Sequence, residues 1–180
     1  ALCDRLAAEG FAALAPDLFG GETADDAASA DALRRRLSRT RRVPAYRQLE
    51  AAIARLLSQR GVEQDHLAVI GFSMGGHWAL WLAQRAYLPV RATVVFYAAR
   101  GGDYRASLSR FLFHLAPGDE WVSEASVKGM RQSLERAGAE AVFHRYEGAR
   151  HWFFEEGRPE HDPEAAALAW QRTLEELRRA

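Results

Sequence analysis

The sequence has one cysteine and no surplus of charge of either sign. The single thiol, Cys3, cannot form an internal disulfide, and its place beside Leu2 and Leu6 in a predicted first helix favours a buried structural thiol and a reducing, cytoplasmic setting. Lys and Arg number 24, as do Asp and Glu, so no overall field attracts nucleic acid or an anionic membrane. These absences favour a small neutral or mixed-charge molecule as the binding partner.

Long hydrophobic runs are also missing. No run approaches the roughly 18 apolar residues of a membrane span, and the N-terminus lacks the basic-then-apolar order of a signal peptide. With 180 residues and 48% hydrophobic content the chain can bury one sizeable core, so we expect a single domain over residues 1–180. The arginine-rich segment 34–42 lacks the interleaved aromatics that base stacking requires, and we interpret it as a solvated surface.

Strand and helix signals alternate along the chain, which is typical of an α/β domain with a mostly parallel sheet flanked by helices. The five predicted strands, each followed by a polar loop, lie in FAALAPDLFGG, HLAVIGF, VRATVVFYA, RFLFHLAPGDE and AVFHRYEGARH. Polar loop residues would gather at the carboxyl edge of such a sheet, where open α/β sheets bind their ligands.

A glycine–serine–glycine motif stands where the second of these strands turns into a predicted helix: Gly71, Ser73 and Gly75. In this context G-x-S-x-G holds a serine on a tight, strained turn with its Oγ above the sheet. We expect the glycines to avoid clashes with neighbouring elements and the Met74 N–H to be one donor to an oxyanion. The context favours Ser73 as a nucleophile over a small residue that merely fits the turn.

A serine nucleophile requires a histidine base and a group that orients it, and in this type of fold they follow in the order serine, acid, histidine. Asp119 lies in a Pro-Gly turn just past a strand end and is the predicted acid. Stabilisation of that turn is its alternative role, and Glu120 is the rival acid. His151 follows the last predicted strand and is the predicted base.

The other histidines fit the role of base less well. One precedes a strand, and the rest lie within helices or strands or beside a helix cap; they are His66, His77, His114, His144 and His161. No pairing of a histidine with a carboxylate has convincing ligand spacing, so we predict neither a metal site nor a cofactor.

Aromatic residues follow the strands on the same predicted edge. Trp121, Trp152, Phe153 and Tyr97 would wall an apolar acyl or aromatic pocket. The alternative for Trp121 and Trp152 is that they only cover the core beneath the loops.

In combination these segments resemble the dienelactone hydrolase family of α/β-hydrolases. The resemblance is carried by GFSMGGHWAL, FYAARGG, LAPGDEWV, YEGARHWFF and, near the start, AEGFAALAPDLFGG, and it covers nearly the whole chain. It implies an α/β-hydrolase fold and a cofactor-free hydrolase of a small ester or lactone that uses an acyl-enzyme. It also implies Ser73 as nucleophile, Asp119 as acid and His151 as base.

Two departures from the family pattern concern the site. The family most often has cysteine at the nucleophile position, and serine here suggests ordinary esterase chemistry. Members that act on dienelactone tend to carry an arginine shortly after the histidine to hold the substrate carboxylate, where this chain has Glu155 and Glu156. Dienelactone itself is therefore not the expected substrate.

A third departure concerns the start of the sheet. The family begins with further strands before the helix at Ala1, and one of them normally lies between the strands at 11–17 and 67–72. We hypothesise that the sequence lacks this segment, about one βαβ unit in size, and with it the loop that donates a second oxyanion N–H. The rate would then fall about 10²–10³-fold, and an unpaired strand edge would favour a homodimer. A catalytically impaired binding protein is the alternative function.

Overall fold

A parallel sheet of four strands forms the centre of the computed structural model. The structure describes residues 1–39 and 43–179, and the chain divides into two compact units, residues 1–64 and 65–180. The four strands lie in the second unit in the order β1-β2-β3-β4. The predicted fold class, an α/β domain with a parallel sheet flanked by helices, is confirmed.

Three helices are described in the first unit: α1 (Leu2–Ala8), α2 (Ala27–Arg39) and α3 (Val43–Leu57). Leu49 and Ile53 of α3 are buried, as their spacing predicts, because residues four apart lie on the same side of a helix. Cys3 is half-buried rather than buried as predicted, since it stands in the first turn of a seven-residue helix whose buried residue is Leu6.

Helix α2 includes the first part of the arginine-rich segment 34–42. Arg34 and Arg35 pair with Asp31 along the helix, and Arg36 pairs with Glu22 at 2.5 Å. The three arginine side chains are each more than half exposed, which matches the predicted solvated surface. Residues 40–42 lie outside the described residues.

The strand predicted at 11–17 is wrong. These residues form no ladder with any described strand, and the Phe11 N–H donates to Leu6 O instead. A strand requires a neighbour that pairs its backbone groups. The apolar pattern on which the prediction rested does not supply that neighbour.

The other four predicted strands are present as β1 (Leu67–Phe72), β2 (Val90–Phe96), β3 (Arg110–Leu115) and β4 (Ala141–Arg145). Each pairs in parallel with the next. Strands β2 and β3 are buried almost throughout, because a strand covered on both faces is a continuous apolar run. The order along the sheet equals the order along the chain, so the loops after successive strands emerge side by side at one edge.

Helices α4 (Met74–Ala83), α5 (Glu124–Ala137) and α6 (Pro163–Leu177) flank the sheet. The N-cap of α5 is Ser123, whose hydroxyl accepts from the backbone of the first turn, and that of α6 is Asp162. Gly138 ends α5 with a φ of +67°, a left-handed conformation that glycine adopts without a steric penalty. None of the described helices is both long and apolar enough to cross a membrane.

Candidate active site

Ser73 lies at the sharp turn between β1 and α4. Its φ is +48°, which residues with a side chain rarely adopt, and its N–H donates to Phe96 O at 3.0 Å. Helix α4 begins at Met74, so the first N–H groups of the helix, that of Met74 among them, have no acceptor within it. The serine hydroxyl and a potential anion site therefore adjoin each other.

At two glycines near Ser73 the neighbouring atoms lie too close for a side chain. Only one of these two, Gly71, belongs to the predicted pair Gly71 and Gly75. A Cβ on Gly71 would lie 2.3 Å from Gly75 O, and a Cβ on Gly76 would lie 2.6 Å from the Ala98 Cβ. A Cβ on Gly75 would have no described atom within 4 Å. The steric prediction is correct for Gly71 and wrong for Gly75, because Gly76 is the residue of α4 that faces the end of β2.

His151 stands between Ser73 and Asp119 in a continuous chain of hydrogen bonds. Its Nε2 lies 2.9 Å from Ser73 Oγ, and its Nδ1 lies 2.8 Å from Asp119 Oδ2. In the tautomer that satisfies both contacts, Nδ1–H donates to the carboxylate and Nε2 accepts from the hydroxyl. The side chains of His151 and Asp119 are 2% and 3% exposed, so bulk water does not compete for these bonds. The structure thus brings together the three residues predicted from three separate loops.

Asp119, and not its rival Glu120, contacts the histidine. The Oδ1 of Asp119 accepts from the backbone N–H groups of Trp121 and Val122, at 2.7 and 3.1 Å, which leaves Oδ2 to His151. One carboxylate therefore both stabilises its turn and orients the histidine. Glu120 is exposed, and its Oε1 accepts from the Trp121 indole N–H at 3.1 Å.

The other five histidines lie where the role of base suits them less well, and the contact of one of them, His77, with Ser73 is a backbone bond from its N–H to Ser73 O at 3.4 Å. His66 lies before β1, at the opposite edge of the sheet, where it contacts the exposed Asp65 at 2.9 Å. His114 is fully buried within β3. The other three lie in α4, in β4 and beside the N-cap of α6, and they are His77, His144 and His161.

His114 belongs to a buried hydrogen-bond network that the sequence did not reveal. Its Nδ1 lies 2.7 Å from the Tyr146 hydroxyl, and its Nε2 lies 3.1 Å from Thr173 Oγ1. Burial first, and the charges of His144 and Arg172 second, lower the pKa of His114 to about 3. The ring is therefore neutral, and both of its nitrogens have partners, as buried polar groups require.

Strained backbone is concentrated around the hydrogen-bonded chain. The described residues include three non-glycine residues with positive φ, namely Ser73 at +48°, Tyr97 at +38° and Trp152 at +66°. Tyr97 follows β2, and Trp152 follows His151 directly. Each such conformation costs on the order of 1–3 kcal/mol and persists only where its surroundings impose it. Their clustering at one edge of the sheet indicates a functional site.

Three aromatic rings surround the imidazole of His151. The ring centroids of Tyr97, Trp152 and Trp121 lie 4.7, 4.8 and 6.1 Å from it. The two indoles are 5.6 Å apart, and Trp121 is 61% exposed. They present a partly exposed aromatic surface beside the imidazole, which favours a pocket wall over a cover for the core.

Phe153, the fourth predicted wall residue, does not lie on this surface. It is fully buried, and its ring packs against those of Phe96, Tyr97 and Tyr146. The turn after His151 directs this side chain into the core, so Phe153 supports the Tyr97 ring from behind.

Tyr97 lies between His151 and the carboxylate of Glu155, a residue far from Tyr97 in the sequence. Its hydroxyl donates to Glu155 Oε1 at 3.0 Å. Burial first, and the charge of Glu155 second, raise the pKa of Tyr97 far above its ordinary value, so the hydroxyl remains a donor. Glu155 Oε2 lies 3.6 Å from Arg158 Nε, and the Arg158 guanidinium lies 4.9 Å from the centroid of the Trp152 ring. No local sequence signal predicts this contact, since its partners are 58 residues apart.

Sequence comparison places the whole chain in one family. Residues 1–180 match the model of the dienelactone hydrolase family. A putative carboxymethylenebutenolidase of Escherichia coli (strain K12) is 31% identical over 189 residues, which cover 97% of this chain and 69% of that protein. A probable 2-oxo-3-(5-oxofuran-2-ylidene)propanoate lactonase of Bradyrhizobium sp. is 27% identical over 186 residues, with 96% and 74% covered.

Solved structures share the fold. A dienelactone hydrolase-like promiscuous phosphotriesterase from metagenomic libraries matches with a TM-score of 0.83 and 28% identity, covering 97% of this chain and 77% of that one. A putative dienelactone hydrolase from Klebsiella pneumoniae has a TM-score of 0.81, with 99% and 80% covered; at 23% identity it shows the fold alone. The predicted family and α/β-hydrolase fold are confirmed. The chain belongs to the dienelactone hydrolase family, whose members are hydrolases.

Proposed function

We propose that this protein is a serine hydrolase that cleaves a small ester or lactone, with Ser73 as nucleophile, His151 as base and Asp119 as acid. The observation that carries the proposal is the unbroken hydrogen-bonded chain, 2.9 Å from Ser73 Oγ to His151 and 2.8 Å from His151 to Asp119. A lone serine hydroxyl is a weak nucleophile at neutral pH, and this arrangement supplies the base that activates it.

The reaction is acyl transfer in two steps. Ser73 Oγ attacks the carbonyl carbon while Nε2 of His151 takes the hydroxyl proton, and the imidazolium is stabilised by the Asp119 carboxylate. His151 returns the proton to the leaving alcohol as the C–O bond breaks. Water, deprotonated by the same nitrogen, then attacks the acyl-enzyme; the bond from Ser73 Oγ to the acyl carbon breaks, His151 returns the proton to Ser73 Oγ, and the acid is released. The Met74 N–H stabilises the negative oxygen in both steps.

Trp121 and Trp152 hold the apolar part of the substrate in this proposal. Their rings adjoin the imidazole, and such aromatic surfaces bury acyl or aryl groups at small conformational cost. The Tyr97 ring also packs against the imidazole. The names of two relatives, a lactonase and a carboxymethylenebutenolidase, support a carbonyl substrate for this chain as well.

Hydrolysis of 4-nitrophenyl esters of short acids tests the proposal. The wild-type protein should release 4-nitrophenolate, and Ser73→Ala and His151→Ala should each lower kcat/KM by at least about 10³-fold. Ser126→Ala is the matched control, because this serine is exposed on α5, and its activity should equal that of the wild type. Full activity in Ser73→Ala would contradict the proposal. A folded wild-type protein that hydrolyses no ester would favour the impaired binding protein instead.

A further inference from the structure

A single side chain, that of Tyr97, connects the negatively charged Glu155 to His151. Tyr97 is 1% exposed, and its ring packs against His151 on one side while its hydroxyl binds Glu155 on the other. The Tyr97 hydroxyl always donates, so it fixes the carboxylate of Glu155 without neutralising it. The Glu155 side chain remains 37% exposed, and its field therefore extends into the surrounding solvent as well as toward Tyr97.

The positive charge nearby offsets this field only in part. Arg158 Nε lies 3.6 Å from Glu155 Oε2, with the two side chains 52% and 37% exposed, which is too long for a hydrogen bond and weak for an ion pair. The charges that act on the Tyr97 hydroxyl are those of Glu155, Arg158 and Asp119, two negative and one positive. Glu120, whose carboxylate accepts a hydrogen bond from the indole N–H of Trp121, contributes a further negative charge.

We propose that Glu155 determines the specificity of this site: its carboxylate, held by the hydroxyl of the tyrosine whose ring packs against His151, disfavours esters that carry a second carboxylate and makes uncharged esters and lactones the substrate class. The inference rests on the proposed function, since it concerns the same hydrolytic site. Glu155 is a specificity-determining residue here and takes no part in proton transfer.

A pair of substrates that differ in charge but not in shape tests the inference. These are the acetate ester of 4-hydroxybenzoate and that of 4-hydroxybenzamide, whose carboxylate and amide groups are isosteric. The wild-type protein should prefer the benzamide. Glu155→Gln keeps an acceptor for Tyr97 but removes the charge, so it should raise the ratio of kcat/KM for the benzoate to that for the benzamide by about three- to tenfold.

Two controls distinguish the effect of the Glu155 charge from that of the protein's overall charge. Glu147→Gln removes an exposed charge that acts on Arg145 at the end of β4, and it should leave the substrate preference unchanged. Raising the salt concentration from about 0.01 M to about 1 M, which shortens the Debye length from about 30 Å to about 3 Å, should narrow the preference of the wild type. A wild-type preference that salt does not narrow overturns the inference even if Glu155→Gln does not fold.

The outcomes distinguish this inference from the proposed function. An unchanged preference in folded Glu155→Gln, an equal change in Glu147→Gln, or a wild-type preference that salt does not alter would overturn the inference, while hydrolysis of both esters would leave the proposed function intact. Hydrolysis of neither ester by the wild-type protein would overturn both.

Discussion

Asp119 divides its two oxygen atoms between the backbone and the histidine. Oδ1 accepts from the N–H groups of Trp121 and Val122, and Oδ2 faces His151. The position of Asp119 after a strand end made it a candidate from the sequence alone. The sequence favoured it over Glu120, and the turn agrees, because the side chain that reaches His151 is that of Asp119.

Asp119→Asn should lower kcat by about 10³–10⁴-fold, because an amide group beside Nδ1 favours the tautomer that cannot accept the serine proton. The backbone bonds to Oδ1 can persist, so the free energy of unfolding should change little. Steady-state hydrolysis of a 4-nitrophenyl ester, with urea unfolding alongside, measures both. Glu120→Gln is the control and should keep the kcat of the wild type; an equal loss in both variants would contradict the assignment.

The buried His114 makes stability depend on pH. Its pKa in the folded protein is about 3, below the ordinary value of about 6.5, so between these values the unfolded chain binds a proton that the folded protein does not. The stability contributed by the neutral ring is complete above pH 6.5 and is lost as the pH falls toward 3, by about 2 kcal/mol between pH 7 and pH 5.

His114→Gln should remove that part of the acid sensitivity. The glutamine amide can still bond to Tyr146 and Thr173 but does not titrate, so the variant should lose about 2 kcal/mol less than the wild type between pH 7 and pH 5. Urea unfolding at the two pH values measures the difference, in which the contributions of all other titrating groups cancel. Equal losses in the two proteins would contradict the prediction.

The turn from β1 into α4 is the element that positions Ser73, the proposed nucleophile. The motif predicts the turn, because G-x-S-x-G after an apolar run and before a helix has few other uses. It does not predict which glycine touches another element, since that depends on how α4 crosses β2. The structure assigns this contact to Gly76 and Ala98.

Alanine substitutions at two adjacent glycines test this packing. Gly76→Ala should destabilise the protein by about 1–3 kcal/mol, because its Cβ would lie 2.6 Å from the Ala98 Cβ in a packed region. Gly75→Ala should be neutral or stabilise the helix by up to about 1 kcal/mol, because its Cβ meets no described atom within 4 Å. Urea unfolding at pH 7 compares them, and equal stability of the two variants would contradict the packing.

The strand prediction was correct for the four apolar runs that pair with a neighbouring strand in the sheet, and it was wrong for residues 11–17. Runs such as VRATVVF in β2 are both apolar and rich in β-branched residues, and they are buried in the sheet. Residues 11–17 have apolar character as well, but pairing is a long-range property that a single segment does not encode. Helix α2 was not predicted, because its segment is dominated by charged and small residues, although its few large apolar residues, such as Leu33 and Leu37, do follow a helical spacing.

At the scale of the whole molecule, parallel strands in chain order bring the site together. The loops after β1, β3 and β4 supply Ser73, Asp119 and His151, and that after β2 supplies Tyr97. The order of these residues was readable from the sequence because each follows an apolar strand. Contacts such as that between Tyr97 and Glu155 were not, since they depend on how loops fold over the edge rather than on their order.

Covalent labelling of the protein with a fluorophosphonate tests whether Ser73 is the reactive nucleophile. Trypsin releases residues 61–85 as one peptide, in which Ser73 is the only hydroxyl-bearing residue, so mass spectrometry after fluorophosphonate treatment locates the adduct without ambiguity. We expect a phosphonylated 61–85 peptide in the wild-type protein, slower modification in His151→Ala and none in Ser73→Ala. A folded wild-type protein that leaves this peptide unmodified would contradict this expectation.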